Sequence, residues 1–311
     1  MVKKQTSNHN FNFQGLNMPA DLHMHTQASD GTDSIEKRVE QAKKHDLDTI
    51  AITDHDTINS DLRKRSEILR GVEVISGAEV KCKVEGTSIE ILGYFIDPND
   101  QNLHSLFEKL KQNREDRIKK MAERIGKGEN LNPDNLWDEV QKNAKGTIGR
   151  PHLGEMLVQR EIAKDMNDAF KNYIGEEAPT NYYIEAKKLE AEEVIDTIHQ
   201  SGGAISLAHP GRDLKLSEAD KILNMLESAG LDAIEVPYTY QHKRQEGYGI
   251  NFGIKESYIL AKQHDLLITG GSDCHGKKSD KYNIGKINLE SKHVEAIRKI
   301  AGENQQNPTE N

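Results

Sequence analysis

The chain is poor in the features that would send it out of the cell or into a membrane. It has only two cysteines, Cys82 and Cys274, in 311 residues. That number cannot build a disulfide framework, and a reducing compartment would keep both thiols free. No apolar run approaches the roughly 18 residues needed to cross a bilayer. The opening MVKKQTSNHNFNFQG has two lysines but no apolar core behind them, so it does not read as a secretory signal. A cytoplasmic protein with no membrane partner is expected. Basic charge is also short: 42 Lys and Arg stand against 51 Asp and Glu, for a net charge of -9, which excludes a broad nucleic-acid groove. Two catalytic signatures are missing as well. There is no G-x-S-x-G nucleophile elbow and no G-x-x-x-x-G-K-[ST] phosphate loop, so neither a serine nucleophile nor a P-loop carries the chemistry.

What the chain does have is concentrated between Ala20 and Thr57. His23 and His25 lie two apart in an apolar alternation, and strand residues two apart point the same way, so both imidazoles face one side. Asp30 follows in a Ser-Asp-Gly turn. A helix comes next, capped by Asp33 or Ser34 and carrying Ile35, Val39 and Ala42 at helical spacing. A short apolar strand from Thr49 to Thr53 then ends in Asp54-His55-Asp56. This strand, helix, strand order predicts a parallel sheet, and polar groups at the carboxyl ends of parallel strands mark a site. Bunched His and Asp at strand ends is the donor set of a borderline divalent metal. His45, His104, His199, His264 and His293 have no partner at ligand spacing and are assigned to structural roles. Cys274 lies between Asp273 and His275, and alternation turns it away from both.

Further along, the pattern predicts a charged helix near Ser60 to Leu69, a strand from Val72 to Ile75, and a strand end carrying Glu79. Glu90 lies inside the apolar run Ser88 to Phe95, where a carboxylate is unfavourable unless paired or metal-bound. From Asp100 the strand rhythm stops and helical periodicity takes over until about Glu190. That stretch contains Ile148-Gly149-Arg150-Pro151-His152-Leu153. The α/β rhythm then returns, with His209-Pro210-Gly211-Arg212 after one strand, Tyr238 after the next, and Asp273-Cys274-His275 after the last. The expected organisation is a tail over 1–17, barrel segments over 18–99 and 191–301, a helical insertion over 100–190, and a tail over 302–311. About seven strands with intervening helices favour a barrel-like α/β array.

Together, Asp21-Leu-His-Met-His-Thr26, Ser29-Asp-Gly31, Ile52-Thr-Asp-His-Asp56, Gly77-Ala-Glu79, Ala208-His-Pro-Gly-Arg212 and Gly271-Ser-Asp-Cys-His-Gly276 resemble the PHP (polymerase and histidinol phosphatase) family of metal-dependent phosphoesterases. Thr147-Ile-Gly-Arg-Pro-His152 is similar to the branch of nucleoside 3',5'-bisphosphate and AMP phosphatases, some of them 5'-to-3' exoribonucleases. The resemblance runs from about Ala20 to Asn288. It implies a distorted seven-stranded (β/α) barrel with a helical insertion, holding divalent ions, two or three per chain. Mn²⁺ is expected first, with Zn²⁺, Mg²⁺ and Fe²⁺ as alternatives. One ion would take His23, His25, Glu79 and Asp273, a second Asp30, His55 and His275, and a third Glu79, His209 and position 90. At position 90 the sequence departs from the family pattern, which has His where this chain has Glu90.

The chemistry expected is attack on a phosphate ester by metal-activated hydroxide, with no protein nucleophile. Asp54 and Asp21 are expected to orient imidazoles. Arg150, His152 and Arg212 are expected to grip substrate phosphate, and Tyr238 and His242 to line a base pocket. The substrate expected is a nucleotide phosphomonoester or a short RNA 5' end. A small-molecule phosphatase such as one for histidinol phosphate, and a non-catalytic metal-binding regulatory domain, are the two other readings. No feature of the sequence points to a particular assembly.

Overall fold

The computed structural model describes residues 19–144, 148–239, 250–277, 279 and 283–306. Nine strands make one sheet: β1 Ala20–Asp21, β2 Thr49–Ile52, β3 Ser66–Leu69, β4 Val72–Val84, β5 Thr87–Tyr94, β6 Leu189–Glu190, β7 Ala204–Leu207, β8 Ala233–Tyr238 and β9 Leu267–Gly271. Seven of them run in the order β1-β2-β4-β5-β7-β8-β9, while β3 and β6 pair with β4 off that path. The flanks are parallel, and β5 is antiparallel to both β4 and β7. The ends of the path meet: Leu22 N–H donates to the Gly270 carbonyl at 3.0 Å, and Met24 bridges to Cys274. The result is a nearly closed seven-stranded barrel, as the motifs implied.

Helices clothe the barrel. α1 is Ile35–Lys44, and the Ser34 side chain caps it by accepting from Lys37 N–H. α2 Gln101–Gly128, α3 Pro133–Asn143, α4 Arg150–Gln159 and the short α5 Met166–Ala169 form the helical insertion. Their apolar faces gather a hydrophobic cluster of their own around Ile118, Ile125, Leu136, Leu153 and Leu157. α6 Ala191–Gln200, α7 Pro210–Asp213, α8 Leu216–Ser228, α9 Ile254–Gln263 and α10 Ser291–Gln306 follow.

Three expectations are corrected. The stretch 60–69 is not a helix; its last four residues are β3, antiparallel to β4, because Val72, Val74 and Ile75 offer that edge an apolar strand to pair with. β4 does not stop at Ile75 but runs to Val84, so Glu79 sits mid-strand opposite Leu92 and not at a strand end. The carboxyl end is helical through Gln306, since Val294, Ile297 and Ala301 bury one face of α10. The rest of the expected tails, 1–17 and 307–311, lies outside the described residues.

Candidate metal centre at the barrel mouth

The barrel gathers its polar groups at one mouth. His23 and His25 leave β1 on the same side, as alternation predicts, and both are fully buried. His25 Nε2 lies 3.3 Å from Glu79 Oε2 and 3.2 Å from Asp273 Oδ1; His23 Nε2 lies 3.4 Å and 3.7 Å from the same two atoms. Beside this group, Asp30 faces His275 Nε2 at 3.3 Å, His55 Nε2 at 3.8 Å and His25 Nδ1 at 3.9 Å. Glu79 also reaches His55 Nδ1 at 3.1 Å and His209 Nε2 at 2.9 Å, so one carboxylate from mid-β4 meets four imidazoles.

Asp30 is 57% exposed at its side chain, so the mouth opens widest there. His23 Nε2, His25 Nε2 and Glu79 Oε2 are buried without any hydrogen-bond partner. Buried polar atoms are rarely left that way, and three donors converging on one point fit a cation. Burial alone would lower the histidine pKa values. Instead Glu235, Glu79 and Asp273 hold His23 up to about 10, and Asp273 and Glu79 hold His25 up to about 9. Burial likewise pushes Glu79 upward, and the surrounding imidazoles outweigh it and hold the carboxyl well below its ordinary value. Such pairing is what a site built for positive charge leaves behind when protons stand in for metal.

Residues behind the donors aim them. His23 Nδ1 lies 3.1 Å from Glu235 Oε1, and His275 Nδ1 is 2.9 Å from the Asp273 carbonyl. With Nδ1–H donated in each, the Nε2 lone pairs turn into the mouth. Glu235 Oε2 also accepts from His209 N–H at 2.8 Å. Buried Arg38 of α1 donates to the His25 carbonyl from Nε at 2.9 Å and to the Cys274 carbonyl from Nη2 at 3.0 Å, tying the first ligand-bearing segment to the last. Its Nη1 reaches Cys274 Sγ, which is turned away from the mouth. Gly271 permits the closest approach of the two segments: a Cβ there would lie 2.4 Å from the His23 backbone nitrogen. Asp273 and His209 both hold positive φ, at 52° and 23°, a strain that packing sustains at functional sites.

The expected positioning roles need revision. Asp54 makes no hydrogen bond to an imidazole among the described residues. It accepts from Thr26 N–H at 2.7 Å, Thr26 Oγ1 at 2.6 Å and Ser29 Oγ at 2.6 Å, so it shapes the loop that carries Asp30. Asp21 accepts from the backbone of His23 and Ser272. Tyr238 is buried and donates its hydroxyl to Asp273 Oδ2 at 2.7 Å, so it braces a candidate ligand instead of lining a base pocket. His242 lies outside the described residues. Arg212 is at the mouth, bonded to Glu90 and Asp213. Arg150 and His152 are on the insertion. The Arg150 guanidinium lies over the Phe170 and Tyr183 rings at 5.5 and 5.6 Å, and His152 Nδ1 accepts from Gly149 N–H at 3.1 Å. Arg114 of α2 bonds Asp56, next to His55, and joins the insertion to the mouth. Sequence reasoning missed Glu235, Arg38 and Arg114. Glu235 alone carried a signal, as an acid inside the apolar run of β8.

The PHP domain model matches residues 21–189. The chain belongs to the PHP family. A protein named 5'-3' exoribonuclease Rnm from Escherichia coli is 32% identical over 259 residues, covering 82% of this chain and 84% of that one. The 3',5'-nucleoside bisphosphate phosphatase of Chromobacterium violaceum is 24% identical over 269 residues, covering 85% and 90%. Among solved structures, a Bifidobacterium adolescentis chain described as a metal-dependent phosphoesterase superposes with a TM-score of 0.68 at 29% identity, covering 91% of this chain and 96% of that chain. This PHP protein is a metal-dependent phosphoesterase, and its mouth residues fit divalent cations.

Proposed function

We propose that the protein removes phosphate from nucleotides, nucleoside 3',5'-bisphosphates or AMP, and acts in the 5'-to-3' direction on short RNA, in the cytoplasm. The observation that carries this reading is the set of buried, partnerless donors His23 Nε2, His25 Nε2 and Glu79 Oε2 at the mouth. His23, His25, Glu79 and Asp273 would hold one ion, with Mn²⁺ the first to test. Asp30, His55 and His275 would hold a second beside it, sharing the His25 side of the cluster. Bound there, such ions neutralise phosphate oxygens and acidify a water. Glu90 also lies beside His209 and Glu79, but both its oxygens face side-chain cations.

The chain's own residues do the rest. Glu235 and the Asp273 carbonyl keep His23 and His275 in the tautomer that points Nε2 inward. Asp54 keeps the Thr26 to Ser29 loop in shape so that Asp30 meets His275. Arg212 at the mouth grips a phosphate oxygen. Arg150 and His152, on the insertion, bind the part of the substrate that projects away, and the guanidinium suits a phosphate bidentately. Names of relatives that act on RNA and on nucleoside bisphosphates support this substrate class.

The test is phosphate release by metal-stripped protein resupplied with Mn²⁺. Nucleoside 3',5'-bisphosphate, AMP, 5'-phosphorylated oligoribonucleotide and histidinol phosphate are compared. Release from the nucleotide substrates but not from histidinol phosphate is expected. Release from histidinol phosphate alone would overturn the nucleotide reading.

A further inference from the structure

Glu90 is held in a way that the other candidate ligands are not. β4 and β5 pair with Lys81 opposite Glu90. Lys81 Nζ lies 3.2 Å from Glu90 Oε1, and Arg212 Nη2 donates to Oε2. His209 Nε2 is 3.3 Å from the same Oε2. Each carboxylate oxygen therefore faces a lysine or arginine, whereas His23 Nε2, His25 Nε2 and Glu79 Oε2 face only one another and neighbouring ligand-type groups, with no hydrogen bond. An ion held between Glu90, His209 and Glu79 would sit against an ammonium and a guanidinium, or displace both. Like charges a few ångström apart repel, and here they would be gathered around the buried Glu90 carboxylate.

Resting on the phosphoesterase reading above, we infer that Glu90 is a positioning residue for Arg212 and not a metal ligand, so that this chain holds two ions and a protein cation takes the third place. The guanidinium is anchored on two sides. Nη2 is spent on Glu90, and Nε donates to Asp213 Oδ1 at 3.1 Å. The remaining Nη1 edge faces Asp273 Oδ2 at 3.9 Å, across the mouth from the imidazoles. A phosphate oxygen arriving at the ions meets that edge. Arg212 is 31% exposed, enough to touch substrate while its anchor Glu90 stays buried. Unlike an ion, this charge does not exchange with solvent.

The experiment counts metal on the full-length protein. Protein is loaded with excess Mn²⁺, freed of unbound ion by gel filtration and measured by mass spectrometry of the metal. Two ions per chain are expected, and Glu90→Gln keeps both. With a nucleotide substrate, Glu90→Gln raises KM roughly tenfold, by more than kcat falls, as the loss of one charge-assisted hydrogen bond implies. Arg212→Gln does the same, and the double variant is no worse than either, because the two residues act as one unit. Three ions in the wild type, falling to two in Glu90→Gln, would overturn the inference, as would additive effects in the double variant. If neither variant folds, the wild-type metal count decides alone. Two ions without hydrolysis of any phosphoester would sink the enzyme reading and leave this inference standing. Three ions with full hydrolysis would do the reverse.

Discussion

The barrel mouth and the helical insertion solve different problems with different means. The mouth is built from strand ends and is buried except around Asp30, His55 and Arg212, and the imidazoles of His23 and His275 are aimed by Glu235 and the Asp273 carbonyl. The insertion packs around its own apolar cluster and presents Arg150 and His152 from a helix start, braced by aromatic rings and a local cap. Its charged link to the mouth runs through Arg114 and Asp56. The candidate donors thus rest on the barrel, whereas Arg150 and His152 rest on a unit with its own apolar cluster.

That contrast can be broken or sharpened by substitution. The largest effect is expected from Glu79→Ala, which removes the carboxylate met by four imidazoles. Hydrolysis should fall by about a thousandfold or more, since metal catalysis supplies several kcal/mol. Bound Mn²⁺ measured in parallel should drop with it; retained metal with normal turnover would show the mouth is not the reaction centre. Arg114→Gln is intermediate. It cuts the link between insertion and mouth and leaves Asp56 partly buried without its cation. KM for a nucleotide should rise roughly tenfold while metal content stays constant, in line with a charge-assisted contact of about 1.5 to 3 kcal/mol. An equal loss of metal would mean the two regions are not separable. The smallest effect belongs to His264 on the outer face, a control for both. Burial would lower its pKa, but hydrogen bonds with Glu227 and Asp220 raise it above the ordinary value. Its stabilisation is present below the unfolded-state pKa and is lost as pH rises through the higher folded value. The melting temperature of the wild type should exceed that of His264→Gln near pH 6 by a few degrees and converge with it in alkali, with hydrolysis unchanged. A gap that does not close would refute the ion pairing.

How far the sequence could be read follows the same division. His23, His25, His55, Asp273 and His275 were legible because two-residue spacing beside an apolar strand determines which side a side chain faces. Ser34 as cap and the seven-strand count were legible for local reasons too. Glu79 was placed at a strand end, because Gly77 looks like a strand stop when it lies within a thirteen-residue strand. The partners behind the donors were mostly invisible. Glu235 meets His23 across 212 residues of chain, and no local period encodes such a contact. Tyr238 was drawn toward a base pocket because a strand-end aromatic usually opens to solvent, whereas here the neighbouring Asp273 takes its hydroxyl. The run around Ser66 reads as helical from its charges, and only its pairing with β4 makes it a strand.

The join between Leu22 and Gly270 has a consequence for how the protein is made. Asp21 and Ser272 are bonded across a sequence separation of 251 residues, and donors from both neighbourhoods belong to the same centre. During synthesis, the first histidines leave the ribosome long before Asp273 and His275 exist. The nascent chain must therefore keep a pair of competent chelators through almost the whole of translation with no complete site to occupy. Loop closure over that span is slow compared with local helix formation. The donor set is thus complete only once the two ends of the barrel have met.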